Sequence, residues 1–168
     1  MSERIIYELE QHLSTFDSLL KVQSAEEILW KADPKKWCLL EVVCHLVDEE
    51  MLDFRTRVKA ALNPSQYPFI PIDPVAWVKE KNYLGQDFES KVAEWKKERE
   101  ASLAWLRSLG NPDWESALQH PELGSITAGR FLANWLAHDY IHIRQILKIR
   151  HAYLMAHSRE DLTYAGKW

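Results

Sequence analysis

The chain has 168 residues, of which 46% are hydrophobic and 27% charged, so it can bury a core without disulfides and is too apolar to be disordered. Its 25 acidic and 21 basic side chains give a net charge of −4 with histidine neutral, which argues against electrostatic binding of nucleic acid or of an anionic membrane. No stretch approaches the roughly 18 apolar residues of a membrane span, and we expect one domain covering residues 1–168.

The N-terminal segment and the two cysteines indicate the cellular compartment. The first residues lack the basic, apolar and small-residue order of a secretory signal, and Cys38 and Cys44 match neither a CxxC pair nor a zinc ribbon. We therefore expect a cytoplasmic protein. Only five glycines occur beside eight tryptophans, a balance that favours packed helices and an all-α fold.

Apolar residues at helical spacing predict four long helices. The predicted ranges are about 2–22, 38–62, 87–109 and 127–150. Thr127 is positioned to cap the fourth helix, and Gly110-Asn111-Pro112 ends the third. Four such helices predict a four-helix bundle.

The connections are predicted to be less regular. A capping box at Ser24–Glu27 opens a short helical turn. The segment Asn63–Pro74 holds four prolines, which predicts a long loop, and a short helical piece containing Trp77 follows it. Residues 113–124 are expected to be irregular, and the last eighteen residues have no assigned structure.

Two histidines lie four residues apart in the fourth predicted helix. At about 100° per residue, His138 and His142 lie within some 40° of each other and one turn apart, which allows both imidazoles to reach one metal ion. Phe131, Trp135 and Ile149 fall on the same line, so the pair points into the core. The alternative is two histidines at a chance spacing, because the HxxxH pattern is short and common.

His45 is a third candidate, in the middle of the second predicted helix. Carboxylates at −4, +3 and +4, the last of which is Glu49, are placed to orient its ring. His45 does not lie on the main apolar stripe of that helix. If it faces the interior, the stripe around Val43, Val47 and Phe54 exceeds what one core needs, which predicts a free face for a second subunit.

Three segments carry a resemblance to a known family. They are Trp37 followed by Glu41–Leu46, the loop Ile72–Trp77, and Gly124–Thr127 leading into His138–Ile146. The sequence resembles the DinB/YfiT-like metalloenzyme family, which includes bacillithiol- and mycothiol-dependent S-transferases and, more distantly, maleylpyruvate isomerase. One departure is Cys38, where the family usually has a small hydroxyl residue that caps the helix.

The resemblance implies a four-helix bundle, often a homodimer, with a divalent metal held by His45, His138 and His142. Three neutral imidazoles leave the ion its full charge and at least one open position, which is typical of a catalytic site. Zn or Ni is the expected metal, although imidazole also suits Fe and Cu. Neither Cys38 nor Cys44 is placed to be a fourth ligand, since one is about 10.5 Å away along the axis and the other is turned about 100° from His45.

Five further polar residues are candidates for supporting roles. Asp139, Gln145 and Glu49 are candidates to orient ligands or to transfer protons. His12 and Arg99 lie on apolar faces and are candidates for substrate binding. For His12 the alternative is a hydrogen-bonded core histidine, and for Arg99 it is a side chain that reaches the end of the bundle.

Three functions stay open at this point. The first is a metal-dependent enzyme that transfers a low-molecular-weight thiol to an electrophilic small molecule. The second is a metal-assisted hydrolase, and the third is a stress-response protein that binds metal or ligand without turnover. No phosphate-binding, dinucleotide-binding, HExxH or GxSxG motif occurs in the sequence.

Overall fold

The computed structural model describes residues 1–22 and 24–166. Its α-helices are α1 Ser2–Leu19, α2 Ala25–Leu29, α3 Leu39–Asp48, α4 Arg55–Leu62, α5 Pro74–Glu80, α6 Phe88–Ser108 and α7 Ala128–His157. Two strands, β1 Ala117–His120 and β2 Gly124–Thr127, form an antiparallel pair. Within the described residues, no helix combines the length and hydropathy that a membrane span requires.

The predicted four-helix bundle is confirmed. Its four rods are α1, the continuous helix from α3 to α4, α6 and α7. Helix α1 packs on α7 and α6, and α3 packs on α6. The interior is filled by large side chains from every rod, among them Phe16, Val42, Trp95 and Trp135.

Side-chain caps start the helices where the sequence predicts them. The Thr127 hydroxyl accepts a hydrogen bond from the backbone N–H of Arg130 at 3.1 Å, and Ser24 caps α2 in the same way. At the start of α3 the Glu41 carboxylate accepts a hydrogen bond from the backbone N–H of Cys38 at 2.9 Å. A carboxylate from the first turn therefore supports this helix start, where the capping position holds Cys38 and not the hydroxyl residue usual in the family that the sequence resembles.

Strand β1 lies in the stretch expected to be irregular, and β2 begins at the last residue of that stretch, Gly124. Leu118 and Ile126 are buried, and Leu118 packs with the small alanines at the end of α4, while the neighbours of both residues along the strands are more exposed. Strands of four residues hold too few alternations to be recognised by period. Helix α7 also continues past Arg150 to His157, and a 3-10 turn spans Thr163–Ala165. Residues 167 and 168 of the unassigned tail lie outside the described residues.

The second rod differs from the uninterrupted α-helix expected for residues 38–62. Residues Glu49–Phe54 form a π-helical segment between α3 and α4. Such segments are rare and frequently lie at functional sites. The expected free face is also wrong, because Val43, Val47 and Phe54 are all buried within this chain. The covered stripe thus provides no surface for a second subunit.

Candidate metal centre

Three imidazole rings converge between the second rod and α7. The Nε2 atom of His138 lies 3.2 Å from the Nε2 of His45 and 3.0 Å from the Nε2 of His142. One ring nitrogen from each of the three lies within 4.8 Å of the others. Of the described residues, these three form the group with the donors and spacing to hold a metal ion.

Different physical causes bring each ring to this point. On α7, the spacing of four residues places His138 and His142 on one face, with ring centroids 4.2 Å apart. On α3, every residue from Leu39 to Val47 is buried, so the helix is covered on all sides and His45 faces inward. The centroid of the Trp37 ring lies 4.9 Å from that of the His45 ring.

The hydrogen bond to Gln145 fixes which ring nitrogen of His142 carries the proton. The Nδ1 of His142 lies 2.7 Å from the amide oxygen of Gln145. Because that oxygen only accepts hydrogen bonds, Nδ1 carries the proton and donates it. The Nε2 atom of His142 therefore carries a lone pair, which points toward His138.

His45 has a buried nitrogen without a hydrogen bond. Its Nδ1 lies 3.8 Å from Oε1 of Glu49, which is within ion-pair range but too long for a hydrogen bond. Glu49 is the nearest carboxylate to that nitrogen and lies on the side of the ring away from the other histidines. Burial and the neighbouring Asp53 raise the pKa of Glu49 to about 8.

The electrostatic surroundings keep the three rings neutral. Burial, followed by the His142 ring, lowers the pKa of His45 to about 3. Burial, followed by the His142 and His45 rings, lowers the pKa of His138 to about 2. Burial also lowers the pKa of His142. Near neutral pH all three rings are uncharged, which is the state in which an imidazole binds metal.

Hydrogen bonding alone does not account for this cluster, whereas a cation does. With no proton on Nε2 of His142, a single proton on Nε2 of His138 cannot make two well-directed hydrogen bonds to its neighbours. A metal ion accepts a lone pair from all three rings. Ligand bonds of about 2.0–2.1 Å in a tetrahedron separate the ligand atoms by roughly 3.3 Å, close to the two short spacings seen here. The residues present thus fit a divalent ion.

The other predicted residues divide between this centre and a separate network. Gln145 and Glu49 lie beside the triad, on His142 and His45 respectively. Asp139, Arg99 and His12 instead contact one another in the bundle interior. Substrate binding by Arg99 and His12 stays a prediction, and in this structure their polar atoms face protein partners.

The buried network links all four rods through Arg99, which is 1% exposed. The guanidinium donates to Asp139 at 2.7 and 2.8 Å, to Glu50 at 2.9 and 3.0 Å, and to the backbone oxygen of Leu9. Asp139 also faces Nδ1 of His12 at 2.9 Å, and Glu50 accepts from the indole of Trp135. Glu50 and Trp135 have no local signal for this role, because their partners come from other helices.

For Arg99 and Asp139, ion pairing favours the charged form more than burial opposes it. Burial opposes ionisation of Asp139, but the Arg99 guanidinium outweighs it and lowers the pKa of that carboxyl. Burial likewise opposes the charge on Arg99, while Asp139 and Glu50 raise its pKa. The Arg99 guanidinium and the Asp139 carboxylate are therefore charged in the core. Each is fully hydrogen-bonded there, as a buried charge must be.

The cysteines are separate from the triad, as expected. Both thiols are buried, and neither belongs to the metal-binding group found among the described residues. Burial raises the pKa of Cys44 to about 12. A thiol held so firmly protonated is a poor metal ligand and a poor nucleophile.

Two cavities border the triad. One of about 620 Å³ is lined by His45, His142 and Gln145, with Trp30 and Trp37 on its walls. A second, of about 400 Å³, is lined by His138 on the opposite side. Trp30 was not singled out from sequence, because a tryptophan outside a long helix gives no periodic signal. A small molecule can thus approach the triad from solvent.

Similarity to known proteins agrees with this geometry. A sequence model described as the DinB superfamily matches residues 8–146. A protein of Oceanobacillus iheyensis, provisionally named a metal-dependent hydrolase, is 29% identical over 114 residues. These residues are 67% of this chain and 64% of that protein, so the match spans less than two thirds of the relative's length.

A solved structure has the same fold. YfiT from Bacillus subtilis, described as a probable metal-dependent hydrolase with an unusual four-helix bundle topology, matches with a TM-score of 0.78. The two sequences are 22% identical, and the match covers 89% of this chain and 86% of that one. At this identity the likeness supports the bundle topology.

Proposed function

Because this chain belongs to the DinB superfamily, we propose that it is a metal-dependent hydrolase whose ion is held by His45, His138 and His142. The observation that carries the proposal is the convergence of three neutral imidazoles beside an open cavity of about 620 Å³. The provisional name of the relative from Oceanobacillus iheyensis supports the same activity.

The donor set favours Zn or Ni. Three neutral imidazoles leave a divalent ion its full charge and an open coordination position. Bound there, the ion supplies Lewis acidity, which lowers the pKa of water and polarises a carbonyl group. An ester or amide is therefore the class of substrate that we propose.

The chain's own residues prepare this chemistry. Gln145 holds the proton of His142 on Nδ1, so that Nε2 presents its lone pair. Glu49, with its raised pKa, can hold or release a proton next to His45 near neutral pH. Trp37 packs on the His45 ring and lines the cavity beside it.

Removing one ligand should remove the metal. His138→Ala and His142→Ala proteins, purified without an affinity tag, should lose the roughly one ion per chain that the wild type carries, because two imidazoles bind a divalent ion far more weakly than three. Elemental analysis measures this, and circular dichroism checks that the bundle persists. His157→Ala, in the last turn of α7, is the matched control and should keep its metal. Stoichiometric metal in either triad variant would exclude that histidine as a ligand.

Turnover should depend on the same residues. Zn- or Ni-loaded protein should hydrolyse simple activated esters well above background, and the triad variants should lose the activity to background, since the ion supplies the electrophile. A parallel assay of thiol consumption with an electrophile tests the thiol transferase predicted from sequence. Thiol consumption without ester hydrolysis would replace the hydrolase by the transferase. Metal binding without either activity would favour the non-catalytic alternative.

A further inference from the structure

The larger cavity beside the triad has a charge opposite to that of the whole chain. The chain carries a net charge of −4, yet Lys35, Lys36 and Lys148 line this cavity, and the described residues that line it include no aspartate or glutamate. A local concentration of one sign at the mouth of a cavity attracts the opposite charge.

These three lysines form no ion pair within residues 1–22 and 24–166. Lys31, in the same segment, forms an ion pair with Glu41 at 2.7 Å. Among the described residues, the ammonium groups of Lys35, Lys36 and Lys148 have no ion pair, although Asp33 lies in the same turn as the first two. The Asp33 carboxylate accepts a hydrogen bond from the backbone N–H of Lys35 and is not part of the cavity lining.

Another part of the lining is apolar and held in place by packing contacts. The ring of Trp30 packs edge-on against Tyr153 of α7, with centroids 5.6 Å apart, and Trp37 packs on His45. Ile149 of α7 contributes further apolar surface to the lining. Fixed indole rings favour a flat apolar group, which buries large area at little cost in conformational entropy.

We propose that this cavity binds an amphiphilic organic anion, a small molecule with a carboxylate and a flat apolar body. The carboxylate faces Lys35, Lys36 and Lys148, and the apolar body lies against Trp30 and Trp37, which brings the rest of the molecule to His45 and His142. The inference rests on the proposed function in taking this cavity as the substrate site, and it names the substrate class.

Binding of matched probes tests the proposal independently of turnover. Isothermal titration calorimetry compares 1-naphthoate with neutral 1-naphthamide, which has the same apolar body, on the full chain in both its metal-free and its Zn-loaded form. The wild type should prefer the carboxylate at low ionic strength, and salt should weaken the preference. In the triple variant Lys35→Gln, Lys36→Gln, Lys148→Gln the preference should fall about tenfold, since each exposed ion pair is weak alone.

A second triple variant controls for net charge. Lys79→Gln, Lys97→Gln, Arg144→Gln removes three positive charges from positions outside the cavity lining, and it should bind 1-naphthoate as the wild type does. The proposal is overturned if the two triple variants lose affinity equally, if the carboxylate and the amide bind alike, or if neither probe binds. If the preference for the carboxylate is found but the protein neither holds metal nor hydrolyses esters, the proposed function fails and the binding site stands.

Discussion

Arg99 illustrates how one side chain can unite a helical bundle. Its five donors reach residues of the other three rods, and both carboxylate partners are 1% exposed. Charges this deep are costly to bury, and the cost is offset only while every partner is in place. The two carboxylates stand next to the site in sequence, Glu50 after Glu49 and Asp139 after His138. The network therefore fixes the rotation of the helices that present the triad.

Breaking this network should cost far more than breaking a surface pair. Glu50→Gln keeps the shape of the side chain but puts an amide NH2, which only donates, where a carboxylate oxygen accepts from Arg99 and Trp135. One buried ion pair is broken, so we expect a loss of about 3–5 kcal/mol in the free energy of unfolding. Chemical denaturation monitored by tryptophan fluorescence measures the loss. Glu10→Gln, which breaks the exposed pair with Arg107, is the control and should cost less than about 1 kcal/mol. Equal losses for the two variants would show that the buried network does not stabilise the fold.

The two halves of the second rod are buried to different extents, and a π-helical segment joins them. In α3 the helix is buried on all sides, which turns His45 inward, whereas α4 presents one face to the core. The π-helical segment Glu49–Phe54 joins them and holds the wider turn through bonds such as that from the Thr56 hydroxyl to the backbone oxygen of Met51 at 2.8 Å. The extra residue of a π turn changes the rotation of α4 relative to α3.

Inserting one residue into this segment should therefore misalign the rod. The wide turn already takes up one extra residue, so an alanine inserted after Leu52, an exposed residue, rotates α4 by about 100° relative to α3. Val58 would leave the core, and we expect a loss of at least about 3 kcal/mol in the free energy of unfolding. Leu52→Ala keeps the backbone length and should cost about 1 kcal/mol or less. Wild-type stability of the insertion variant in thermal unfolding would contradict this role of the segment.

The complete fold places the metal centre between two rods that are far apart in sequence. His45 and His138 are separated by 93 positions, so the three nitrogens converge only when the bundle is formed. An ion bound to all three therefore favours the folded state over the unfolded one. Binding and stability should be coupled in this protein.

Metal should raise the melting temperature. At a free Zn concentration about 100 times the dissociation constant, the gain is about 2.7 kcal/mol, which corresponds to roughly 5–10 °C for a chain of this size. Differential scanning calorimetry of chelator-treated protein, with and without Zn, measures the shift. His142→Ala should show little of it, and His157→Ala should show all of it. An equal shift of the melting temperature in His142→Ala and His157→Ala would show that the stabilising ion binds at another site.

The helices and the pair on α7 were predictable because their signals are local. Helical periodicity, caps such as Thr127 and the four-residue spacing of His138 and His142 act within one or two turns, so a single segment determines them. The inward orientation of His45, the partners of Arg99 and the lining of the cavity depend on contacts between rods. Those contacts are set by the rotation and register of whole helices, which only the packed bundle decides.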